Sequence, residues 1–300
     1  MTERETAGEA VTRMLRTHVV SLRVSEGPLR RDEDDAVHQT RIVVRRLRSI
    51  LKEYRDVLDR SAAKHWRRRL KAWGDALGEV RDAEVRARDG QAVLARLPAA
   101  AWDGLSPLIV EPALDSYRAG HEALLERMRS TEHLELLREL ELFADAPALG
   151  DLAELPATNT IGDLLVGTAR DLAEHTPSPR DVRAIRREPE PALAQLHALR
   201  KAARRLRYAA EAAIEVGALR PRARHRARRL AARAMAVQNV LGDHRDAVLF
   251  ACHVEGGAAA ETRPLVRIAQ RSRASARRTI TQLRRDLALL WAAGRALGRA

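Results

Sequence analysis

The sequence repeats itself, and this constrains the fold more than any other feature. Residues 38–48 read HQTRIVVRRLR and residues 197–207 read HALRKAARRLR, so one histidine, one leucine and four arginines recur at an offset of 159 residues. Downstream, LGEVRDA at 77–83 matches LGDHRDA at 241–247 at an offset of 164. Two motifs in the same order predict two homologous halves. The turn-rich stretch 145–160 lies between them, so we predict repeats at 1–150 and 151–300.

Helical periodicity runs through both halves and predicts an all-α protein. Strands are not expected, because the sequence shows no period-two alternation with β-branched enrichment. We expect two pseudo-symmetric helical bundles, of about four to five helices each, that flank a basic central channel. The apolar spacing and the breakers predict helices at 7–24, 33–58, 61–84, 86–97, 107–130, 131–144, 161–174, 190–216, 222–253 and 262–293.

The charge is strongly positive and is carried mainly by arginine. Lysine and arginine number 54 against 41 acidic residues, which gives a formal net charge of +13. Arginine suits phosphate because its planar fork donates two parallel hydrogen bonds. Net charge alone fits nucleic acid, an acidic membrane or polyphosphate equally well. Composition therefore indicates a polyanionic partner without identifying it.

Other features narrow the class of protein. A single cysteine, Cys252, excludes a disulfide framework or a cysteine-based metal site within the chain. No apolar run is long enough to span a bilayer, and the N-terminal residues are unlike a signal peptide. We therefore expect a cytoplasmic protein. His121-Glu122 has Leu125 where a second metal-binding histidine would stand, so no metal site and no cofactor are expected.

The first repeated motif places its basic residues on one strip of a helix. Each residue of an α-helix advances by about 100°, so the six basic side chains between His38 and Arg55 fall within a strip about 100° wide. This strip lies beside the apolar stripe that includes Val44 and Leu47. An ordinary solvated face would lie opposite the core. The strip therefore points into a groove or channel where the bundles meet. Its members are His38, Arg41, Arg45, Arg48, Lys52 and Arg55, and the second copy supplies His197, Arg200, Lys201, Arg204 and Arg207.

The helix after each motif carries a further basic ladder at spacings of 4, 3 and 4. Like charges at this spacing repel by a few tenths of a kcal/mol per pair, which a bound anion would relieve. A solvated basic face remains the alternative. The first ladder is Arg60, Lys64, Arg67 and Lys71, and the second is Arg222, Arg226, Arg229 and Arg233.

The second motif supplies an arginine, an aspartate and a glycine in each half. Gly78 and Gly242 allow close approach of helices. Arg81 and Arg245 either face the ligand, with the following aspartates orienting a neighbouring arginine, or form ion pairs between helices. The sequence leaves both interpretations open.

These motifs resemble the CHAD family, the conserved histidine α-helical domain. The resemblance extends from about residue 7 to 293. It implies two helical bundles around a basic cavity that binds inorganic polyphosphate, often at polyphosphate granules, and it implies phosphate-ligand roles for the histidines and arginines of both repeated blocks. Some relatives carry a triphosphatase domain with an E-x-E-x-K strand, and Glu139-Leu140-Glu141 lacks its lysine. The resemblance thus implies a binding module and not an enzyme.

Two other functions compete with polyphosphate binding. A nucleic-acid-binding protein would use aromatic side chains for stacking, and only two Phe, three Tyr and four Trp are present. An enzyme acting on phosphorylated substrates would be expected to show a glycine-rich phosphate loop or an acidic cluster for Mg²⁺, and neither pattern occurs. The expected partners are therefore inorganic polyphosphate and proteins of polyphosphate granules.

Overall fold

A computed structural model describes residues 5–178, 181, 185, 192–256 and 263–297. It confirms the all-α class: within these residues the only β features are two isolated bridges, Thr6 to Pro156 and Leu58 to Leu149. The helices are α1 (Ala7–Arg30), α2 (Ala36–Glu53), α3 (Arg60–Leu94), α4 (Trp102–Ile109), α5 (Glu111–Arg129), α6 (Thr131–Asp145), α7 (Ala157–Glu174), α8 (Leu193–Glu215), α9 (Pro221–Glu255) and α10 (Arg263–Leu297), with a 3-10 turn at Ala99–Ala101.

Several predicted helix boundaries are wrong. Helix α1 continues through Gly27 and Pro28 to Arg30, because a proline in the last turn removes only one hydrogen bond of the helix. The predicted pair 61–84 and 86–97 is the single helix α3. The predicted helix 107–130 is divided into α4 and α5 at Val110. The first half therefore contains six α-helices and not four to five.

Gly90 shows why α3 passes through a residue that was predicted to break it. A Cβ atom at this position would lie 2.9 Å from the carbonyl oxygen of Ile109 in α4. The glycine therefore permits close contact between two helices and does not end one. Its cost within a helix is about 1 kcal/mol relative to alanine, and packing against α4 offsets that cost.

Helices α2 and α8, which carry the first motif of each repeat, pack against each other at the centre of the molecule. Leu47 and Leu206, the equivalent leucines of the two blocks, have no exposed surface. Burying a leucine side chain contributes about 1.5–3 kcal/mol. The fully buried Tyr54 follows α2, and its hydroxyl donates a hydrogen bond of 2.8 Å to the carbonyl oxygen of Ala209 in α8.

One apolar core extends through both halves, from Ala7 to Leu290. A smaller cluster around Ile109 and Phe250 joins α3 and α4 to α9 and α10. The segment between α6 and α7, residues 146–156, connects the halves. The repeats thus share their core, and the polar edges of α2 and α8 are fixed relative to each other by it.

Candidate functional site

Four arginines meet where the two repeats join, and we call them the central cluster. Arg41 and Arg45 lie on α2, and their repeat equivalents Arg200 and Arg204 lie on α8; all four are half-buried. Burial lowers the pKa of Arg45, and the nearby charges of Arg204, Arg41 and Arg200 lower it further. Burial and the charge of Arg200 likewise lower the pKa of Arg204. The site therefore concentrates positive charge that water screens only in part.

The glycines of the second motif make room for the first arginine of each pair. A Cβ atom at Gly78 would lie 3.1 Å from Nη2 of Arg41, and one at Gly242 would lie 3.4 Å from Nη2 of Arg200. The two repeated motifs therefore contribute to the same site in each repeat. The glycine of α3 or α9 supports the guanidinium group that α2 or α8 presents.

Asp82 links the two repeats within this site. Its carboxylate accepts hydrogen bonds from Nη1 of Arg41 at 3.3 Å and from Nη2 of Arg245 at 3.0 Å. Burial raises the pKa of Asp82, but the hydrogen bond and charge of Arg245, together with Arg41, outweigh burial and hold that pKa below its usual value. No carboxylate in the described residues forms a salt bridge with Arg45 or Arg204.

The two motif histidines lie at the edge of the cluster. Burial lowers the pKa of His38, as does the charge of Arg81. Partial burial, Lys201 and Arg200 lower the pKa of the more exposed His197. A cavity of about 340 Å³ lies beside His197, between α8 and α9, and Arg200 also lines it. Both imidazoles are therefore favoured in the neutral form.

Arg81 lies in a different environment from its repeat equivalent Arg245. It is buried and donates hydrogen bonds to Asp35 at 3.2 Å and to Glu84 at 2.7 Å. The bond to Asp35, at the start of α2, matches the second interpretation of its motif, an ion pair between helices, whereas Glu84 lies on α3 itself. Arg245 is more exposed and contacts Asp82 of the other repeat. The two equivalent arginines thus have different partners.

Two arginines outside the predicted site hold the repeats together. Arg46 on α2 donates to Glu211 on α8 at 3.2 Å, and Arg205 on α8 lies 3.0 Å from Glu53 on α2. Each is the second arginine of the repeated Arg-Arg pair. The sequence contained a signal for this role, because Arg46 and Arg205 occupy the same position in the two repeated blocks. Each lies about 100° around its helix from the basic strip and must therefore face a different neighbour.

The remaining predicted residues are distributed along the flanks of the site. Arg207 donates to Glu211 at 2.7 Å, and its guanidinium carbon lies 5.2 Å from the ring centre of Tyr208. Arg48, Lys52 and Arg67 are half-buried on α2 and α3. The exposed members are Arg55, Lys64, Lys71 and Lys201.

The predicted ladder on α9 does not face α8. The side of α9 that lines a groove with α8 carries Arg228, Ala231 and Met235. The ladder at Arg222, Arg226, Arg229 and Arg233 lies about 140° around the helix from that side. The structure therefore does not bring these four arginines to the central cluster.

Other types of site have little support within the described residues. No group of three or more histidine, cysteine, aspartate or glutamate side chains there is arranged to hold a metal ion. None of the described helices has the length and hydropathy needed to cross a membrane. The central cluster is thus the feature for which a ligand must be considered.

Comparison with known proteins places the chain in a family. It is 28% identical over 247 residues to the uncharacterized protein Rv2226 of Mycobacterium tuberculosis, and the match covers 82% of this chain and 45% of that protein. The chain therefore spans about half the length of the curated relatives it matches.

Two solved structures share the fold. PptA from Streptomyces chartreusis superposes with a TM-score of 0.65 at 19% identity and covers 99% of this chain and 100% of its own. The CHAD domain from the plant Ricinus communis gives a TM-score of 0.67 at 21% identity and covers 99% of this chain and 94% of its own. The sequence profile of the CHAD domain matches residues 13–255. With both repeated motifs inside that match, the chain belongs to the CHAD domain family.

Proposed function

We propose that this protein binds inorganic polyphosphate without transforming it. One observation carries the proposal: four half-buried arginines, two from each repeat, face one another without a matching set of carboxylates. A polymer with one negative charge per phosphate would relieve this repulsion. It would also accept charge-assisted hydrogen bonds from the guanidinium groups.

The chemistry of the cluster supports binding over catalysis. Arginine stays protonated and so neither gives nor takes a proton. The arginines would instead displace condensed counter-ions from the phosphates of the polymer, which makes the affinity strongly dependent on salt. The cytoplasm and its polyphosphate granules are the locations that this function predicts, with granule proteins as further partners.

The experiment compares two charge-matched variants by calorimetric titration with polyphosphate. Arg45→Gln with Arg204→Gln removes two charges from the central cluster. Arg96→Gln with Arg118→Gln removes two from exposed positions elsewhere. We expect the first variant to lose affinity by about a hundredfold, as for two charge-assisted hydrogen bonds, and the second to stay near the wild type.

Circular dichroism verifies that both variants fold. Single-stranded DNA of equal charge serves as the competing ligand. Tighter binding of DNA than of polyphosphate would contradict the proposal in favour of nucleic acid. Equal affinities of the two variants in folded protein would show that the central cluster is not the site.

A further inference from the structure

The two repeats diverge just beyond the central cluster. At the offset of the first motif, Lys52 on α2 corresponds to Glu211 on α8. Since α3 and α9 are continuous helices, the offset of the second motif holds along them. Arg67 of α3 then corresponds to Ala231, and Lys71 corresponds to Met235. Three basic positions of the first repeat are thus acidic or apolar in the second.

In the second repeat, the surface that corresponds to Lys52, Arg67 and Lys71 carries no excess of positive charge. Glu211 accepts hydrogen bonds from Arg207 at 2.7 Å and from Arg46 at 3.2 Å. Beyond it lies a groove of about 340 Å³ that is lined by Ile214, Glu215 and Met235, among others. The groove also contains Arg228, so a polyanion would meet two glutamates, one arginine and apolar surface there, and this lining does not favour its binding.

In the first repeat the same surface stays basic. Arg48 lies beside Gly74 of α3, where a Cβ atom would be in ordinary van der Waals contact with Nη1 of Arg48, at 3.6 Å. The position equivalent to Gly74 in α9 is Gln238. Arg48, Lys52 and Arg67 form no salt bridge with a carboxylate of the described residues.

These side chains continue the central cluster outwards. The charge of Arg48 acts on Arg204, and the charge of Arg67 acts on both Arg48 and Lys52. Asp75 opposes this charge at Arg48, and Glu53 and Asp171 oppose it at Lys52, yet burial and the neighbouring cations outweigh them and lower the pKa of both side chains. Burial lowers the pKa of Arg67, and the charge of Arg55 lowers it further, against the opposing charge of Glu53. The basic surface therefore runs from the repeat junction along α2 and α3.

We infer that Arg48, Lys52 and Arg67 form a one-sided arm of the binding site. A linear polyanion longer than the central cluster leaves it over the first repeat and not over the second. The inference rests on the proposed function and adds a direction and a length dependence to it. Short anions occupy the cluster alone, whereas long ones also contact the arm.

The test exchanges residues between the repeats. Lys52→Glu with Arg67→Ala gives the first repeat the residues of the second. Arg229→Ala with Arg233→Glu makes the same charge change on the flank of α9 that faces away from α8. Tripolyphosphate and a polymer of about a hundred phosphates are the probes, because charge contacts beyond the cluster need a long chain.

We expect the arm variant to bind the long polymer about tenfold more weakly, with a salt slope lower by about two, the number of cations removed. Its affinity for tripolyphosphate should stay within about twofold of the wild type, since exposed charges are screened beyond about 10 Å. The α9 variant should match the wild type on both probes.

Equal losses in the two variants, or an equal loss on both probes in the arm variant, would overturn the inference. A wild-type protein that binds neither probe would instead overturn the proposed function, and the arm with it. A variant in the opposite sense, Met235→Lys, gives the second repeat the basic residue that the first repeat carries at Lys71 and provides a second test should the first variant misfold. It should bind the long polymer more tightly, and no gain in a folded protein would contradict the arm.

Discussion

Asp82→Asn is the change that most directly probes the electrostatics of the central cluster. The carboxylate holds Arg41 of one repeat and Arg245 of the other, and the three side chains are between 15% and 32% exposed. The asparagine keeps the shape of the side chain and one acceptor oxygen but removes the charge. The guanidinium groups then lose a shared counter-ion.

The expected magnitude follows from one charge-assisted hydrogen bond that is lost, because the amide has a single acceptor oxygen, and from a second bond whose acceptor becomes neutral. A hydrogen bond to a charged group contributes about 1.5–3 kcal/mol. Partial exposure reduces this contribution, so we expect a loss of about 2 kcal/mol in the free energy of unfolding. For a domain of this size, that corresponds to a melting temperature lower by about 4 °C.

Binding should change in the opposite direction. A polyphosphate that replaces Asp82 as the counter-ion recovers the lost 2 kcal/mol, which corresponds to about thirtyfold tighter binding. Calorimetric titration measures the affinity, and thermal denaturation with and without polymer measures stability. Asp115→Asn is the matched control, because Asp115 forms an exposed ion pair with Arg118, away from the central cluster, and its loss should change neither quantity measurably.

The outcome that refutes this reasoning is specific. If Asp82→Asn weakens polyphosphate binding and leaves stability unchanged, Asp82 does not act as a counter-ion within the cluster. It would then orient an arginine for the ligand.

Three further predictions concern other parts of the site. Gly78→Ala should weaken polyphosphate binding several-fold without loss of stability, because its Cβ displaces Arg41 while the helix gains about 1 kcal/mol; Gly242→Ala should do less, and titration with denaturation tests both. The lowered pKa values of His38 and His197 mean that their contribution to stability is complete above about pH 6.5 and is lost as pH falls through the folded pKa. Polyphosphate should reverse this loss, so its effect on melting temperature should be larger at pH 5.5 than at pH 8, and a constant shift would contradict protonation of the histidines. Arg205→Ala removes the cationic partner of Glu53, whose side chain is 10% exposed and keeps a hydrogen bond from Thr168. It should cost about 3 kcal/mol in urea denaturation, whereas a change under 1 kcal/mol would show that the ion pair between Arg205 and Glu53 is dispensable.

The sequence predicted what depends on a single helix. The repeated register of Arg41 and Arg45 with Arg200 and Arg204 placed these residues beside the core of their helices, and the structure brings all four together. The all-α class followed from the same periodicity. Both predictions depend only on where residues lie around a single helix, and the spacing of residues in the sequence determines that.

What depended on contacts between helices was not predictable. The spacing of 4, 3 and 4 in Arg222–Arg233 imitates the first ladder, yet its offset is 162 residues and that of the glycine motif is 164. Two residues rotate a helix face by about 200°. The partner of Asp82 in the other repeat and the pairing of Arg46 with Glu211 depend on how the helices cross, which no spacing within one helix reports.

The shared core also has a consequence for folding during synthesis. Tyr54 finds its hydrogen-bond partner at Ala209, 155 residues later in the chain. At about 5–20 residues per second, translation takes about 8–30 s to cover that distance. During this interval the buried faces of α2 and its neighbours lack the second half that covers them. The first half is therefore exposed to aggregation and proteolysis on the ribosome, and the duplicated architecture completes its fold only when its second copy has been made.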